Sequence, residues 1–421
     1  MALYEDLGPP LSEEDIALKE NMHRFAKEVL RPSALALDRL SPDDVVADGS
    51  LYWDTWRQIQ DLGMQNRGMP PELGGISLTP LQNAIIMEEI SWGSIDWAVA
   101  FGASSMPYLF AAMIGNKRLV EEAVVPYLED RKGEYIGCWA ITEPARGYDV
   151  MLTGIKGSGI SFDTRARRDG DTWVIRGQKA AWVSNGTVAK HALTFVSLEN
   201  DEGSEPDVGV TVVALDSPGV SKGKPLDKLG QRALNQGEVY FDDVVVPADQ
   251  MLVIPRRPPT ETALGQGVAF NPNAALGVAF VGLARAALEE TLEYCKQRVQ
   301  GGKPLVEHQL VQRKLFDMVT KVETARAYAR AVSLYNSTHP LGMGFYSNAS
   351  KIYATEVALE VASEGVQLHG GMGLSKGMLI EKLFRDARAG LIEDGANDSL
   401  ALAAAPAMIR DYPYLTGARR F

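Results

Sequence analysis

Near its C-terminus the chain reads Phe384-Arg385-Asp386-Ala387-Arg388-Ala389-Gly390-Leu391-Ile392-Glu393-Asp394-Gly395-Ala396-Asn397-Asp398. Glu393 and Asp394 stand directly before Gly395, with an apolar helical pattern ahead of them and an Ala/Leu-rich helical pattern behind. A carboxylate on a turn between two helices can point into a cleft, which suits a general base that must reach a bound substrate. An Asp-Gly pair is also an ordinary solvated turn, so these residues alone leave both readings open.

Four other segments have residue types suited to ligand chemistry. Thr142-Glu143-Pro144-Ala145-Arg146-Gly147-Tyr148-Asp149 follows a strand-like run, where a Thr hydroxyl and backbone N–H can face a ligand. Gly177 to Gly186 reads as a strand carrying Trp182 and Ser184 two residues apart, hence on one side. A ring beside a hydroxyl can cover a flat heteroaromatic cofactor and bond its edge, and it can equally be a core Trp. Arg298, Gly301-Gly302-Lys303 and Glu307-His308-Gln309 connect two helical patterns, and Arg with free backbone donors can bind phosphate. Gln367-Leu368-His369-Gly370-Gly371-Met372-Gly373 carries more glycine than a helix C-cap needs. It lacks the spacing, and the preceding strand, of a dinucleotide fold.

Composition narrows the chemistry. Over 421 residues the formal net charge is −12 and the pI about 5.1, which argues against nucleic acid as a partner and leaves anion binding to local Lys, Arg or helix N-termini. Cys138 and Cys295 stand far apart, and His23, His191, His308, His339 and His369 form no metal-ligand spacing. The N-terminal MALYEDLGPPLSEED is acidic and has no apolar core of a signal peptide. No run of eighteen apolar residues is present, so no membrane span and a cytoplasmic setting are expected.

The elements that must position these residues fall into three parts. Residues 1–133 read as α-helical: Ser12 caps a helix that Pro32 ends or bends, 51–63 and most of 79–133 are helical, and 70–75 is a turn. Residues 134–255 carry β-branched and aromatic runs at 135–141, 172–177, 192–196, 208–215 and 238–244, with no helix between them. That argues for an antiparallel barrel or sandwich. Residues 256–421 return to long helical patterns of the kind that pack as a four-helix bundle. The expected class is α+β multidomain: N-terminal helical domain, central antiparallel β-domain, C-terminal bundle.

In this order the segments resemble the acyl-CoA dehydrogenase family over almost the whole chain. The landmarks are Pro71-Glu72-Leu73-Gly74-Gly75, Thr142-Glu143-Pro144 with Gly147 and Asp149, Gly177-Gln178-Lys179, Lys228-Leu229-Gly230, Val246-Pro247, Arg298 with Gly302 and Gln309, Gln367 with Gly370-Gly371 and Gly373, and Arg385-Asp386-Ala387-Arg388. The resemblance implies FAD between the β-domain and the bundle, an acyl-CoA thioester beside it, a homotetramer, and an electron-transferring flavoprotein as acceptor. By position, Ile141, Thr142, Trp182 and Ser184 would lie along the isoalloxazine. Arg298 and Gln309 would reach the FAD of a neighbouring subunit, and Gln367, Gly370 and Gly371 would approach the same region. Asp394 aligns to the catalytic base, usually Glu in this family, and would take the α-proton while the β-hydrogen leaves as hydride to the flavin.

The chain departs from the family pattern in several places. Tyr148 stands for a Ser associated with CoA phosphate, and the connection 151–163 is long and rich in Gly and Ser. One extra residue separates Lys179 from Trp182, and Gly301 replaces a common Phe. The alternative base position of branched-chain members falls at Pro272 or Asn273, neither able to accept a proton at neutral pH. Because Asp is shorter than Glu, a bulky, alicyclic acyl-CoA of the cyclohexane- or cyclohexenecarboxyl type is the expected substrate. Asp96, in Gly93-Ser94-Ile95-Asp96, aligns near the acyl pocket; a second base for 1,4-dehydrogenation and a solvated helix-end Asp both fit it. An acyl-CoA oxidase using O2 and a non-catalytic acyl-CoA-binding relative remain as alternatives.

Overall fold

Thirteen helices and ten strands are defined in the computed structural model, which describes residues 7, 10–147, 161–199, 206–255, 263–339 and 344–411. Tyr148 and most of the 151–163 connection lie outside the described residues.

The N-terminal part contains α1 (Glu13–Phe25), α2 (Arg31–Leu37), α3 (Pro42–Val45), α4 (Leu51–Asp61), α5 (Pro80–Gly93), α6 (Ile95–Ile114), α7 (Lys117–Leu119) and α8 (Val125–Glu129). Ser12 and Asp15 close a reciprocal capping box that starts α1. The chain stays helical past Pro32, because a π-helical segment at Ala26–Leu30 leaves Pro32 in the first turn of α2, where a missing N–H breaks no bond. Helix α6 is long and apolar enough to cross a membrane by length and composition. Polar and small residues interrupt its sequence, so it carries no unbroken apolar run of that length. It packs instead against α5, α9, β1 and β4 inside the protein.

The middle part is one sheet of β1 (Gly137–Ala140), β2 (Arg165–Asp169), β3 (Thr172–Lys179), β4 (His191–Leu198), β5 (Val208–Ala214), β6 (Val220–Lys222), β7 (Val239–Pro247) and β8 (Leu252–Ile254). The order is β6-β7-β3-β2-β4-β5-β8, with β1 also on β4. Most pairings are antiparallel as expected, but β1–β4 and β2–β4 are parallel. Sequence pattern missed β2, β6 and β8. Strand β2 is Arg-Ala-Arg-Arg-Asp with only Ala166 buried, so it lacks the apolar residues by which strands are recognised.

The C-terminal part begins with α9 (Ala263–Gln297), turns through the hairpin β9 (Val299–Gln300) and β10 (Lys303–Pro304), and continues through α10 (Gln309–Thr338), α11 (Gly344–His369), α12 (Leu379–Gly390) and α13 (Asn397–Asp411). Gly301 (φ 64°) and Gly302 (φ 85°) form the two-residue hairpin loop, whose left-handed backbone explains glycine where a side chain would be strained. Gly277 packs on Ser350 and Gly365 on Thr291, so α9 and α11 run in the same direction.

The N-terminal helices and the bundle share one apolar core, with Trp56, Ile90 and Trp97 in the same cluster as Phe280, Leu283 and Ile380. A buried charge seam joins them. Arg285 of α9 donates to Glu88 (2.6 Å) and Glu89 (2.8 Å) of α5, and Arg326 and Arg330 of α10 also reach Glu88. Burial alone would push Glu88 up, but the three guanidinium charges hold it down at about 2.

Candidate active site

Helix α12 ends at Gly390, and Ile392 and Glu393 both donate their N–H to Ala389 O, closing the last turn. Asp394 follows in the left-handed region at φ 49° and Gly395 at φ 105°. Asp tolerates that conformation better than most residues, and it turns the chain off the helix axis. Among the described residues the Asp394 carboxylate accepts no hydrogen bond and makes no ion pair, and its N–H finds no acceptor. Asp394 is exposed to solvent, yet burial raises its pKa, with the charge of Lys351 opposing. A group both accessible and closely surrounded sits in a concavity.

Behind this open carboxylate lies a closed cluster. Lys351 of α11, fully buried, donates to Gly395 O and Asn397 Oδ1, both at 2.8 Å, and so fixes the turn from below. Burial pushes it down to about 8. The β6–β7 connection arrives from the side. Gly230 touches the backbone of Arg385 and Asp386 so closely that a Cβ would lie 2.5 Å from Arg385 C. This contact lets Gln231 donate its N–H to Asp386 Oδ1 (2.6 Å) and its Nε2 to Glu393 Oε1 (3.1 Å).

Asp96, at the start of α6, belongs to the same cluster and is wholly buried, so it is not a solvated helix end. Its Oδ1 accepts from Lys382 Nζ and Ser94 Oγ (both 2.9 Å), and its Oδ2 from Ala233 N–H (2.9 Å). Burial would raise Asp96, but Lys382 and these donors carry it below the usual carboxylate range. Asp386, the second carboxylate on the same ammonium, is pushed up to about 7 by burial. One lysine thus holds one full negative charge and leaves the other carboxyl hard to ionise. The other base position examined in the sequence is closed: Asn273 is buried and donates to Asn348 Oδ1.

On the β-domain, the segment carrying Ile141 and Thr142 and the segment carrying Trp182 and Ser184 run side by side. Trp182 and Ser184 do not lie on a strand, which corrects the sequence expectation. Strand β3 ends at Lys179 because Ala180 N–H turns to Thr142 O (2.8 Å), and a turn at Ala181–Trp182 leads to a single bridge between Ser184 and Gln236. That bond also joins the Thr142 and Trp182 segments. Beneath them the fully buried ion pair Lys179–Glu143 (2.6 Å) and the bond from Lys179 Nζ to Ile141 O (3.2 Å) lock the loop. Trp182 is 59% exposed. Gln236 Nε2 donates to Trp182 O and Ser184 Oγ, while its Oε1 accepts from Lys228, so the same connection touches this surface and the base turn.

The remaining predicted residues stand elsewhere. Arg298, Gln309, Gln367, Gly370 and Gly371 are all exposed at the opposite end of the bundle. Here Tyr294 stacks on His369 with ring centroids 4.0 Å apart, and His369 Nε2 is buried without a partner. Gln367 lines a cavity of about 780 Å3 with Phe384 and Arg388. Lys351 lies near the start of α11 and His369 at its end, a span of ~27 Å at the helical rise per residue. The residues fall into two groups, one around Asp394 with the Trp182 surface and one around Arg298.

Sequence reasoning missed Lys351, Gln231 and Lys382. Each lies far in sequence from the carboxylate it serves or sits in an ordinary helical pattern; a lysine on an otherwise apolar helix face at 351 was the one signal available.

Three domain models match the chain: acyl-CoA dehydrogenase N-terminal domain over residues 12–128, middle domain over 138–244 and C-terminal domain over 270–409. The short-chain specific acyl-CoA dehydrogenase of Bos taurus mitochondria is 30% identical, covering 96% of this chain and 92% of its own. The cyclohexane-1-carbonyl-CoA dehydrogenase of Geobacter metallireducens is 29% identical over 95% of this chain and 98% of its own. The butyryl-CoA dehydrogenase structure from Megasphaera elsdenii superposes with a TM-score of 0.81 at 24% identity, covering 96% of this chain and 100% of that one.

Proposed function

We propose, from the premise that this chain belongs to the acyl-CoA dehydrogenase family of oxidoreductases, that it dehydrogenates a bulky, alicyclic acyl-CoA at the α,β-carbons with Asp394 as base. The observation that carries the reading is Asp394 itself: an open carboxylate without a hydrogen-bond or ion-pair partner among the described residues, on a strained turn, with its N–H also free. A carboxylate left without a protein partner keeps its lone pairs available to a substrate proton.

The protein residues suit FAD. An exposed Trp182 beside half-buried Ile141 and Thr142 offers a flat apolar face, and the Ser184 hydroxyl keeps its own hydrogen to donate. The unpartnered His369 Nε2 beside Gln367, Gly370 and Gly371, together with Arg298 and Gln309, offers polar contacts for a phosphate and ribose portion. Bound FAD supplies the acceptor for the β-hydrogen as hydride. Asp394 removes the α-proton as the β-hydrogen leaves, and its N–H donates to the thioester carbonyl as charge develops there. Lys351 holds the turn rigid so that both groups face the same carbon. Asp96 enters this reading as a fixed charge, since both its oxygens are occupied; a second-base role would require it to release Lys382.

The ~27 Å between the two ends of α11 supports a site completed by another copy, with Arg298 and Gln309 serving a neighbour's FAD in a homotetramer. Exposed Leu310 (68%), Phe316 (69%) and Leu374 (75%) near that end suit such a contact. An electron-transferring flavoprotein is the proposed acceptor. The alicyclic preference rests on the shorter reach of Asp, and a relative named for cyclohexane-1-carbonyl-CoA agrees with it.

The test is anaerobic bleaching of bound flavin by a panel of cyclic and linear acyl-CoAs, with Asp394→Asn as control. Bleaching by a cyclohexane- or cyclohexenecarboxyl-CoA, lost in Asp394→Asn with FAD retained, is expected. A clear preference for linear acyl-CoAs overturns the substrate class, and full activity in Asp394→Asn overturns the base. Oxygen consumption on turnover would mark an oxidase.

A further inference from the structure

We infer that Glu393 and Gln231 form a positioning pair for Asp394, in which Gln231 pins Glu393 in the base turn and the Glu393 carboxyl sets the charge beside the base. The inference rests on the reading of Asp394 as base.

Two neighbouring residues of one turn carry carboxyls that point differently. Asp394 is open, whereas Glu393 is turned back against the protein with its Oε1 accepting from Gln231 Nε2 at 3.1 Å. Gln231 is built for this contact. It is 2% exposed, it is one of four non-glycine residues with positive φ among those described (50°), and its N–H is spent on Asp386 Oδ1. A left-handed glutamine wedged between α12 and the base turn is strain held at a functional site, and the contact of Gly230 with α12 is what permits it.

The charges facing Glu393 come from every side of the turn. Asp394 is its neighbour, Lys351 faces it from α11, Lys228 from the β6–β7 connection, and Asp386 of α12 meets it through Gln231. Neither ammonium bonds it directly: Lys351 is committed to Gly395 O and Asn397 Oδ1, and Lys228 to Leu234 O and Gln236 Oε1. Two carboxyls on neighbouring residues, neither with a direct cation, oppose each other's ionisation, so the charge of one weakens the acidity of the other. Burial, then the Asp394 charge, pushes Glu393 up to about 7 in keeping with this. The charge state of Glu393, held in the same turn by Gln231, sets how strong a base Asp394 is.

Three variants of the full, flavin-loaded chain test the pair. In the unmodified protein the acid limb of flavin reduction should spread over two ionisations. Glu393→Gln should reduce it to one, at lower pH. Gln231→Leu should lower kcat roughly tenfold with KM little changed. Gln231→Glu should be impaired at neutral pH and recover on acidification, when its carboxyl becomes a donor to Glu393; a merely structural role gives no such recovery.

A readout without substrate accompanies these. Glu393 has a raised folded pKa, so its contribution to stability is present below its unfolded value of ~4.3 and fades as pH rises through about 7. Glu393→Gln should flatten the fall in melting temperature over that range. An unchanged acid limb and an unchanged melting slope in Glu393→Gln, or no acid recovery in Gln231→Glu, overturns the proposal. If no acyl-CoA reduces even the unmodified protein, the dehydrogenase reading fails, and the melting slope alone decides the pair.

Discussion

Two clusters of carboxyls and cations in this protein behave oppositely. At the seam of α5, α9 and α10, Glu88 and Glu89 are met by Arg285, with Arg326 and Arg330 added on Glu88. Both glutamates are held below their ordinary value. Around the base turn, Asp96, Asp386, Glu393 and Asp394 share Lys382, Lys228 and Lys351, and only Lys382 donates to a carboxylate. Asp386, Glu393 and Asp394 are raised, and Lys228 and Lys351 are pushed down to about 8.

The difference is one of donor geometry. Guanidinium forks satisfy several oxygens at once and keep their charge when buried. Ammoniums turned toward carbonyl and amide oxygens leave carboxyls unneutralised. Guanidiniums aimed at carboxylates make a rivet, whereas carboxyls left without such donors make a reactive site.

The contrast can be broken most directly at the base. Asp394→Asn should cut flavin reduction by roughly 10^3-fold, within the range of a lost general base, and should leave or raise the melting temperature, since it removes a poorly solvated charge. A loss of stability instead would mean that Asp394 serves the fold. At the seam the expectation is reversed. Arg285→Met should cost about 3–5 kcal/mol by leaving Glu88 and Glu89 buried with too few partners, read by denaturant unfolding. The pH profile of any surviving activity should not move. A shift in that profile would join the two clusters into one system.

Lys351→Met separates anchoring from neutralisation. Without its bonds to Gly395 O and Asn397 Oδ1 the turn should loosen, lowering kcat by roughly 10- to 100-fold with a smaller stability change than at Arg285; rapid-reaction flavin reduction gives the first and melting the second. Equal losses in both would place Lys351 with the rivet.

The smallest effect is the pH dependence of stability. Glu88, held at about 2 against an unfolded value of ~4.3, contributes stability present above the unfolded value and lost as pH falls through about 2. Asp386 and Glu393, raised to about 7, contribute stability present below their unfolded values and lost as pH rises through about 7. Melting temperature should therefore peak on the acid side of neutrality. Glu88→Gln should alter only the acid flank, which a pH series of melting curves checks.

Much of the molecule was legible in the chain. Periodicity located α4, α10, α11 and α13, and β-branched runs located β1, β3, β4, β5 and β7, because helix and apolar strand formation are driven by residues near one another in sequence. Strand β2 escaped because it is held by its neighbours rather than by its own side chains. The extra residue after Lys179 was visible, but its effect was not: Trp182 leaves the strand because Thr142 O competes for Ala180 N–H.

The sequence by itself determined the three-part order, the long bundle helices and a carboxylate on the turn before Gly395. It could also single out Asp96 as unusual. Only the tertiary structure decided which carboxyls are neutralised. Asp96 and Lys382 lie 286 residues apart, and Gln231 and Glu393 lie 162 apart, so no local pattern links them. The charge of a buried carboxyl is fixed by the few donors within hydrogen-bond reach and by the water it has lost, and both are set when distant segments pack together.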